Sequence, residues 1–384
     1  MSPTPFDTQE LVDQILEFLA HSPPDLVSCA LVARSWVYAS QCRLFRHIAI
    51  HEYGSHLMHS FGDQGLDPVY QPPLFEVGHH LVFHDFPHLL NHVRALTIYR
   101  IFKPVCVLPF SNLESLLISV EMVDLTPLKA LIRLPTIRRV KFSAAITQLS
   151  EFSGLCADCS PSLRHLHIYS SFHSIGDSNS KAHHQTTDVE RSVPLHSLRI
   201  MISDPRGCFE KDGGHASLLC RFDLSNLRAF SFDANFGSIP WTKKLPPPFI
   251  EYLDILCHFD AKPTDISLFP SLRVLRLSWT SSGKLPPMLI GTLHTIPPYH
   301  SLRKIVICLR GSYPSGGECA ELEDCLTNLN LYSLPAIEIE AGQVEWTESF
   351  FTQLVEQNSR VRFVGGNPPE NAWWESLVDL LLLE

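Results

Sequence analysis

The sequence contains no uninterrupted apolar run approaching 18 residues, and its first residues show neither a basic segment nor a short apolar core. We therefore expect no membrane span and no secretory signal, and a cytoplasmic or nuclear location. Asn-x-Ser/Thr acceptor sites are absent, and the 11 cysteines are odd in number and without a repeating spacing. That pattern favours reduced, mostly buried thiols over a disulfide framework. Basic residues are scarce late in the chain, where residues 311–384 hold 2 against 13 acidic ones. With a net charge of -10 and no clustered basic surface, nucleic-acid binding is not expected. Also missing are G-x-S-x-G, a Walker loop, G-x-G-x-x-G and H-E-x-x-H. Without a nucleophile elbow, phosphate cradle or zinc helix, the chain reads as non-catalytic, with no cofactor and no metal.

What is present begins with helices. Leu11, Val12, Ile15, Leu16 and Leu19 recur at helical spacing on one face, with Asp13, Gln14 and Glu17 opposite. Pro23-Pro24 stops this helix, and Asp25 is placed to cap the next, whose run from Leu26 to Ala33 is apolar nearly all round. A unit of about 40 residues rarely buries enough surface to stand alone. Each aliphatic side chain of the first helix contributes roughly 1.5 to 3 kcal/mol on burial, so a partner subunit is expected to cover the surplus.

The pattern Glu10-Leu11, Ile15-Leu16, Leu19, Leu26, Leu31-Val32, Arg34-Ser35-Trp36 and Leu44-Phe45 resembles the F-box, in the form common in fungal F-box proteins. The resemblance covers roughly the first 50 residues. It departs at Asp7-Thr8, where the family usually has Leu-Pro, and at Ala33, where it has Cys. It implies docking on the S-phase-kinase-associated adaptor of a cullin ubiquitin ligase, with the remainder of the chain recruiting an unknown protein substrate. The adaptor-binding residues it implies are Leu11, Ile15, Leu16, Leu19, Leu26, Leu31, Val32 and Trp36.

From Val93 onward one phrase recurs nine times: HVRALTI, NLESLLI, TIRRVKF, SLRHLHI, SLRIMIS, NLRAFSF, FIEYLDI, SLRVLRL and SLRKIVI. Their first apolar positions are Val93, Leu113, Ile137, Leu163, Leu198, Leu227, Ile250, Leu272 and Leu302, at intervals of 20 to 35 residues. Apolar residues at the first, fourth and sixth places form the L-x-x-L-x-L core of a leucine-rich repeat. The fifth copy is degenerate, with Ser203 at its sixth place. Residues between the apolar ones are expected on an opposite, displayed face. Among them Arg139, Tyr169, Tyr252 and Arg276 lead as substrate-binding candidates, because Tyr and Arg favour interface hot spots. Prolines at 87, 109, 135, 161 and 270 enforce an extended entry into the strands.

The expected architecture is mixed α/β: a helical F-box-like domain at 6–50, a connector at 51–85, an irregular leucine-rich-repeat-like solenoid at 86–310, and an acidic α/β cap at 311–384. Polar stretches at Ser170–Ser192 and Asp204–His215 read as disordered insertions. In the cap, Trp373, Leu377, Leu380 and Leu381 line one face of a last helix that is expected to cover the final repeat.

Three constellations have simpler readings. Cys156, Cys159, His165 and His167 have poor spacing for zinc. His80, His84, His88 and His92 are spaced by four, but Pro87 interrupts any helix carrying them. Gly176-Asp177-Ser178 matches a short nucleophile motif but sits in an expected loop. None carries chemistry, and the favoured expectation is a ubiquitin-ligase substrate receptor. The alternative is a leucine-rich-repeat interaction scaffold without a ligase role.

Overall fold

Each of the nine phrases is a β-strand in the computed structural model, which describes residues 9–19, 22–51, 74–76, 81–99, 103–120, 125–146, 154–172, 193–203, 222–234, 249–279, 284–298, 300–309, 316–329, 335–341, 351–365, 374 and 376. The chain divides into two compact units, one built mainly from residues up to Leu163 and the other mainly from Arg164 to Gly365.

The first unit opens with helices α1 (Gln9–Phe18), α2 (Pro23–Val32) and α3 (Arg34–Leu44). Strands β1 (His47–His51), β2 (Leu74–Glu76), β3 (Ala95–Ile98), β4 (Ser115–Val120) and β5 (Arg139–Ile146) follow. They pair in parallel in the order β2-β1-β3-β4-β5. Helix α4 (Leu81–Asp85) and a 3-10 turn at Pro87–His92 precede β3, while α5 (Lys103–Cys106) and α6 (Lys129–Ile132) lie between later strands.

In the second unit the strands are β6 (His165–Phe172), β7 (Val193–Pro194), β8 (Ser197–Ser203), β9 (Phe222–Asp223), β10 (Ala229–Asp233), β11 (Tyr252–Leu256), β12 (Val274–Trp279), β13 (Lys304–Leu309), β14 (Ala336–Ala341) and β15 (Val361–Gly365). The main ladder is again parallel, in the order β6-β8-β10-β11-β12-β13-β14-β15, with β7 and β9 forming a separate pair. Helices α7 (Pro287–His294), α8 (Gly316–Thr327) and α9 (Thr352–Gln357) lie between its last strands. The protein is therefore mixed α/β, built on parallel strands. Among the described residues no helix is long and apolar enough to cross a membrane.

The apolar triplet explains the burial. Leu272, Leu275 and Leu277 are fully buried, as are Leu113, Leu116 and Ile118. The residue after the first apolar place links successive copies through its backbone: Glu251 N donates to Arg228 O, Arg273 N to Glu251 O and Arg303 N to Arg273 O, each at 2.8 Å. A parallel strand pair needs a crossover between its members, and the 20-odd residues from one copy to the next supply it.

Four expectations change. The fifth copy was phased three residues late, because Leu198 pairs with Leu166, the fourth place of the copy before. Its first apolar residue is Leu195, buried like Leu198 and Ile200. Leu195 lies 32 residues after Leu163 and 32 before Leu227, so Ser203 is no defect in the pattern. Second, residues 47–51 form β1, and LFRHIAI at 44–50 is a further copy of the phrase, with Ile48 opposite Leu96. Third, the connector contributes β2 and α4. Fourth, β14 and β15 prolong the ladder with the register of the strands before them. Trp374 is buried, but Trp373, Leu377, Leu380 and Leu381, both polar insertions from 173 on, and Gly176-Asp177-Ser178 lie outside the described residues.

Candidate functional site

Helices α1 to α3 have a core of their own. Val12, Leu16, Leu26, Trp36 and Ala39 are buried together, with Ile15, Leu19, Cys29 and Leu44 packed against them. Arg43 ties α3 to α1: Nη2 donates to Asp13 O at 3.0 Å, Nη1 lies 3.3 Å from Asp13 Oδ1, and Nε lies 3.4 Å from Glu17 Oε2. The helix-breaking Pro23-Pro24 becomes the first turn of α2, where a missing N–H costs nothing.

That core leaves apolar side chains over. On α2, only Leu26 is fully buried among the large apolar residues, whereas Leu31 is 83% exposed, Val32 67% and Val27 47%. Val27 and Leu31 are four apart, as are Ser28 and Val32, so one face of α2 carries an apolar stripe open to solvent. Phe18, the last residue of α1, is 87% exposed. The expected adaptor-binding residues thus separate into two sets. Leu16, Leu26 and Trp36 build the helical core, Leu11, Ile15 and Leu19 are half-buried, and Leu31 and Val32 are presented. The sequence pointed to surplus apolar surface on both helices and missed Phe18 and Val27. The all-round apolar character of α2 was the usable signal, since one buried side leaves the other to be explained.

The four strand candidates also separate. Tyr169 is exposed, Arg139 and Tyr252 are half-buried, and Arg276 is 1% exposed. Arg276 therefore departs from the expected displayed face. Its Nη2 donates to Glu340 Oε2 at 2.8 Å, and Asp254 Oδ1 lies 3.9 Å from Nη1. Burial pulls the guanidinium pKa down, but Asp254, Cys308 and Glu340 outweigh it and the net shift is upward. Asp254 in turn accepts from Ser231 Oγ at 2.8 Å, and Asp233 pairs with His258 at 2.8 Å. Thr97, Ser119, His165, His167, Ser231, Asp233, Asp254 and Ser278, all expected on the display side, are buried as well. Strands about 4.8 Å apart let long neighbours cover short ones, and hydrogen bonds such as Ser231 Oγ to Asp254 and His165 to Ser197 join some of the polar atoms brought together. This row is internal structure.

His165 Nδ1 meets Ser197 Oγ at 2.8 Å, and Cys156 and Cys159 are buried, with burial first and Asp158 second pushing the Cys159 thiol up to about 12. Among the described residues no group of three or more His, Cys, Asp or Glu is arranged to hold a metal ion. His84 lies on α4 and His88 and His92 on the turn after Pro87, so no single helix carries them. His47, half-buried with its ring nitrogen 2.8 Å from Thr97 Oγ1, is desolvated and its pKa falls to about 4. No family model matches this chain, and no curated protein matches it.

Proposed function

We propose that the chain is an F-box substrate receptor, docking the S-phase-kinase-associated adaptor of a cullin ubiquitin ligase and presenting a protein target on a leucine-rich-repeat-like solenoid. The observation that carries this reading is the open apolar face of α2. A helical trio whose own core is already filled has no internal use for Val27, Leu31 and Val32 in water, and a partner subunit covers such a face at a gain of roughly 25 cal/mol per Å² of apolar area. The receptor role asks no bond chemistry of the chain; it raises the effective concentration of a target near a ubiquitin-loaded enzyme. Tyr169, Arg139 and Tyr252 remain the residues through which the strands reach a target, and Arg276 supports the scaffold.

A second reading keeps the repeats as an interaction scaffold and makes the helices a terminal cap. It draws on the continuity of α3 with β1, which pairs with β3. Co-purification with the adaptor separates the two. Removing residues 1–50 would also take β1 from the ladder, so Leu31→Asp with Val32→Asp is the cleaner tool. Capture by the wild type and loss in the double variant support the receptor; equal capture, or none by either, overturns it.

A further inference from the structure

A cleft of about 660 Å³ opens beside α3, and Tyr38, Cys42, Arg46, His92 and Arg94 line it. The Cys42 sulfur lies 3.2 Å from His92 Nδ1. Tyr38, one turn earlier on α3, sets its ring edge-on to that imidazole with centroids 5.2 Å apart. The Tyr38 pKa is raised, with the neighbouring Cys42 side chain as the first cause. Desolvation first, and His88 second, hold His92 below the ordinary imidazole range, leaving it neutral at pH 7 and able to accept a proton. A thiol becomes a nucleophile when a base removes its proton, and the His92 imidazole stands beside the sulfur in that place.

Among the described residues the other thiols differ. Cys106, Cys156, Cys159, Cys257, Cys308, Cys319 and Cys325 are buried, while Cys29 is half-exposed and packs on the helical core. Burial pushes the Cys106, Cys319 and Cys325 thiols up to about 11. The charges around the cleft also point to a ligand. Arg43 is engaged by Asp13 and Glu17, and Arg94 by Glu114. Arg46 is exposed and its side chain has no partner among the described residues.

We propose that Cys42 is a reversible modification site for a low-molecular-weight disulfide bearing carboxylates. Arg46 holds a carboxylate while Cys42 passes its proton to His92 and attacks one ligand sulfur. The ligand S–S bond breaks, a protein–ligand S–S bond forms, and the departing thiolate takes the proton back from His92. One protein thiol and one disulfide yield one mixed disulfide and one free thiol, so electrons and protons balance. The cleft is of small-molecule size, larger than a peroxide requires.

The test uses the reduced full-length protein with glutathione disulfide as the probe, following adduct formation at each cysteine by peptide mass spectrometry. Cys42 is expected to react at least tenfold faster than Cys29, a comparison inside one molecule that needs no variant. His92→Gln should slow Cys42 about tenfold at pH 7 and less than twofold at pH 9.5, where hydroxide takes over as the base. The titratable and charged groups lining the cleft with Cys42 are Glu17, Tyr38, Arg43, Arg46, His88, His92, Arg94 and Glu114, and of these the His92 imidazole lies 3.2 Å from the sulfur. Arg46→Gln should slow glutathione disulfide at least threefold and leave uncharged 2-hydroxyethyl disulfide unaffected. Equal rates at Cys42 and Cys29, or an unchanged rate in His92→Gln, would overturn the thiol site. Indifference of both disulfides to Arg46→Gln would overturn the carboxylate requirement.

Discussion

Arg276 on β12 reaches past β13 to place its guanidinium 2.8 Å from Glu340 on β14, with both side chains buried. Removing one member of such a pair leaves a buried charge without its counterion, at a cost of about 3–5 kcal/mol. Arg276→Met and Glu340→Leu should each lower stability by that amount in urea unfolding, and the double variant should recover most of it. A non-additive cycle identifies Arg276 as scaffold. Two independent, small effects would return it to the list of target-binding residues.

His47 gives the molecule an acid sensitivity of known sign. Its folded pKa, lowered to about 4 by burial, lies under the 6.5 of an exposed imidazole. Below pH 6.5 the unfolded chain takes a proton that the folded one refuses, so this contribution is whole above pH 6.5 and is lost as pH falls toward 4. The full loss is on the order of 3 kcal/mol. Comparing urea midpoints of wild type and His47→Gln at pH 7 and 4.5 isolates it: the gap should narrow or reverse at the lower pH.

Gly291 in α7 faces Pro263, whose ring carbon would lie 2.5 Å from a Cβ at that position. In an open helix Gly→Ala stabilises by about 1 kcal/mol. Here overpacking costs about 1–3 kcal/mol, and Gly291→Ala should lower the melting temperature. A raised one would mean that the Pro263 segment yields freely.

Leu195→Ala should destabilise by about 2–5 kcal/mol, as for any filled core position. Leu163→Ala and Leu227→Ala, one repeat on either side, should match it. A negligible effect at Leu195 would restore the later phase of the fifth copy.

Much of the ladder was legible because the triplet Leu272, Leu275 and Leu277 combines a period of two with a fixed first contact, and that combination recurs. What escaped has physical reasons. The fifth copy offers two overlapping triplets, Leu195-Leu198-Ile200 and Leu198-Met201-Ser203, and only pairing with Leu166 chooses between them. LFRHIAI was readable as another copy, but its Leu44-Phe45 had been absorbed into the helical pattern. Alternation along a strand says which residues share a face, and says nothing of whether a buried ion pair such as Arg276 with Glu340 fills it. Periodicity likewise found the inward face of α1, while the open face of α2 emerges only once Leu26 and Trp36 are seen to satisfy the core.

The proposed adaptor interaction of the α2 stripe is tested most directly by calorimetric titration of the purified full-length protein with purified adaptor. Leu31→Asp with Val32→Asp alters only exposed positions, so its folding stability should stay within about 0.5 kcal/mol per site of the wild type. The account predicts saturable one-to-one binding by the wild type and at least about a hundredfold weakening in the double variant, a loss of roughly 2.7 kcal/mol. Absence of binding by the wild type, or equal affinity in a folded double variant, would contradict it.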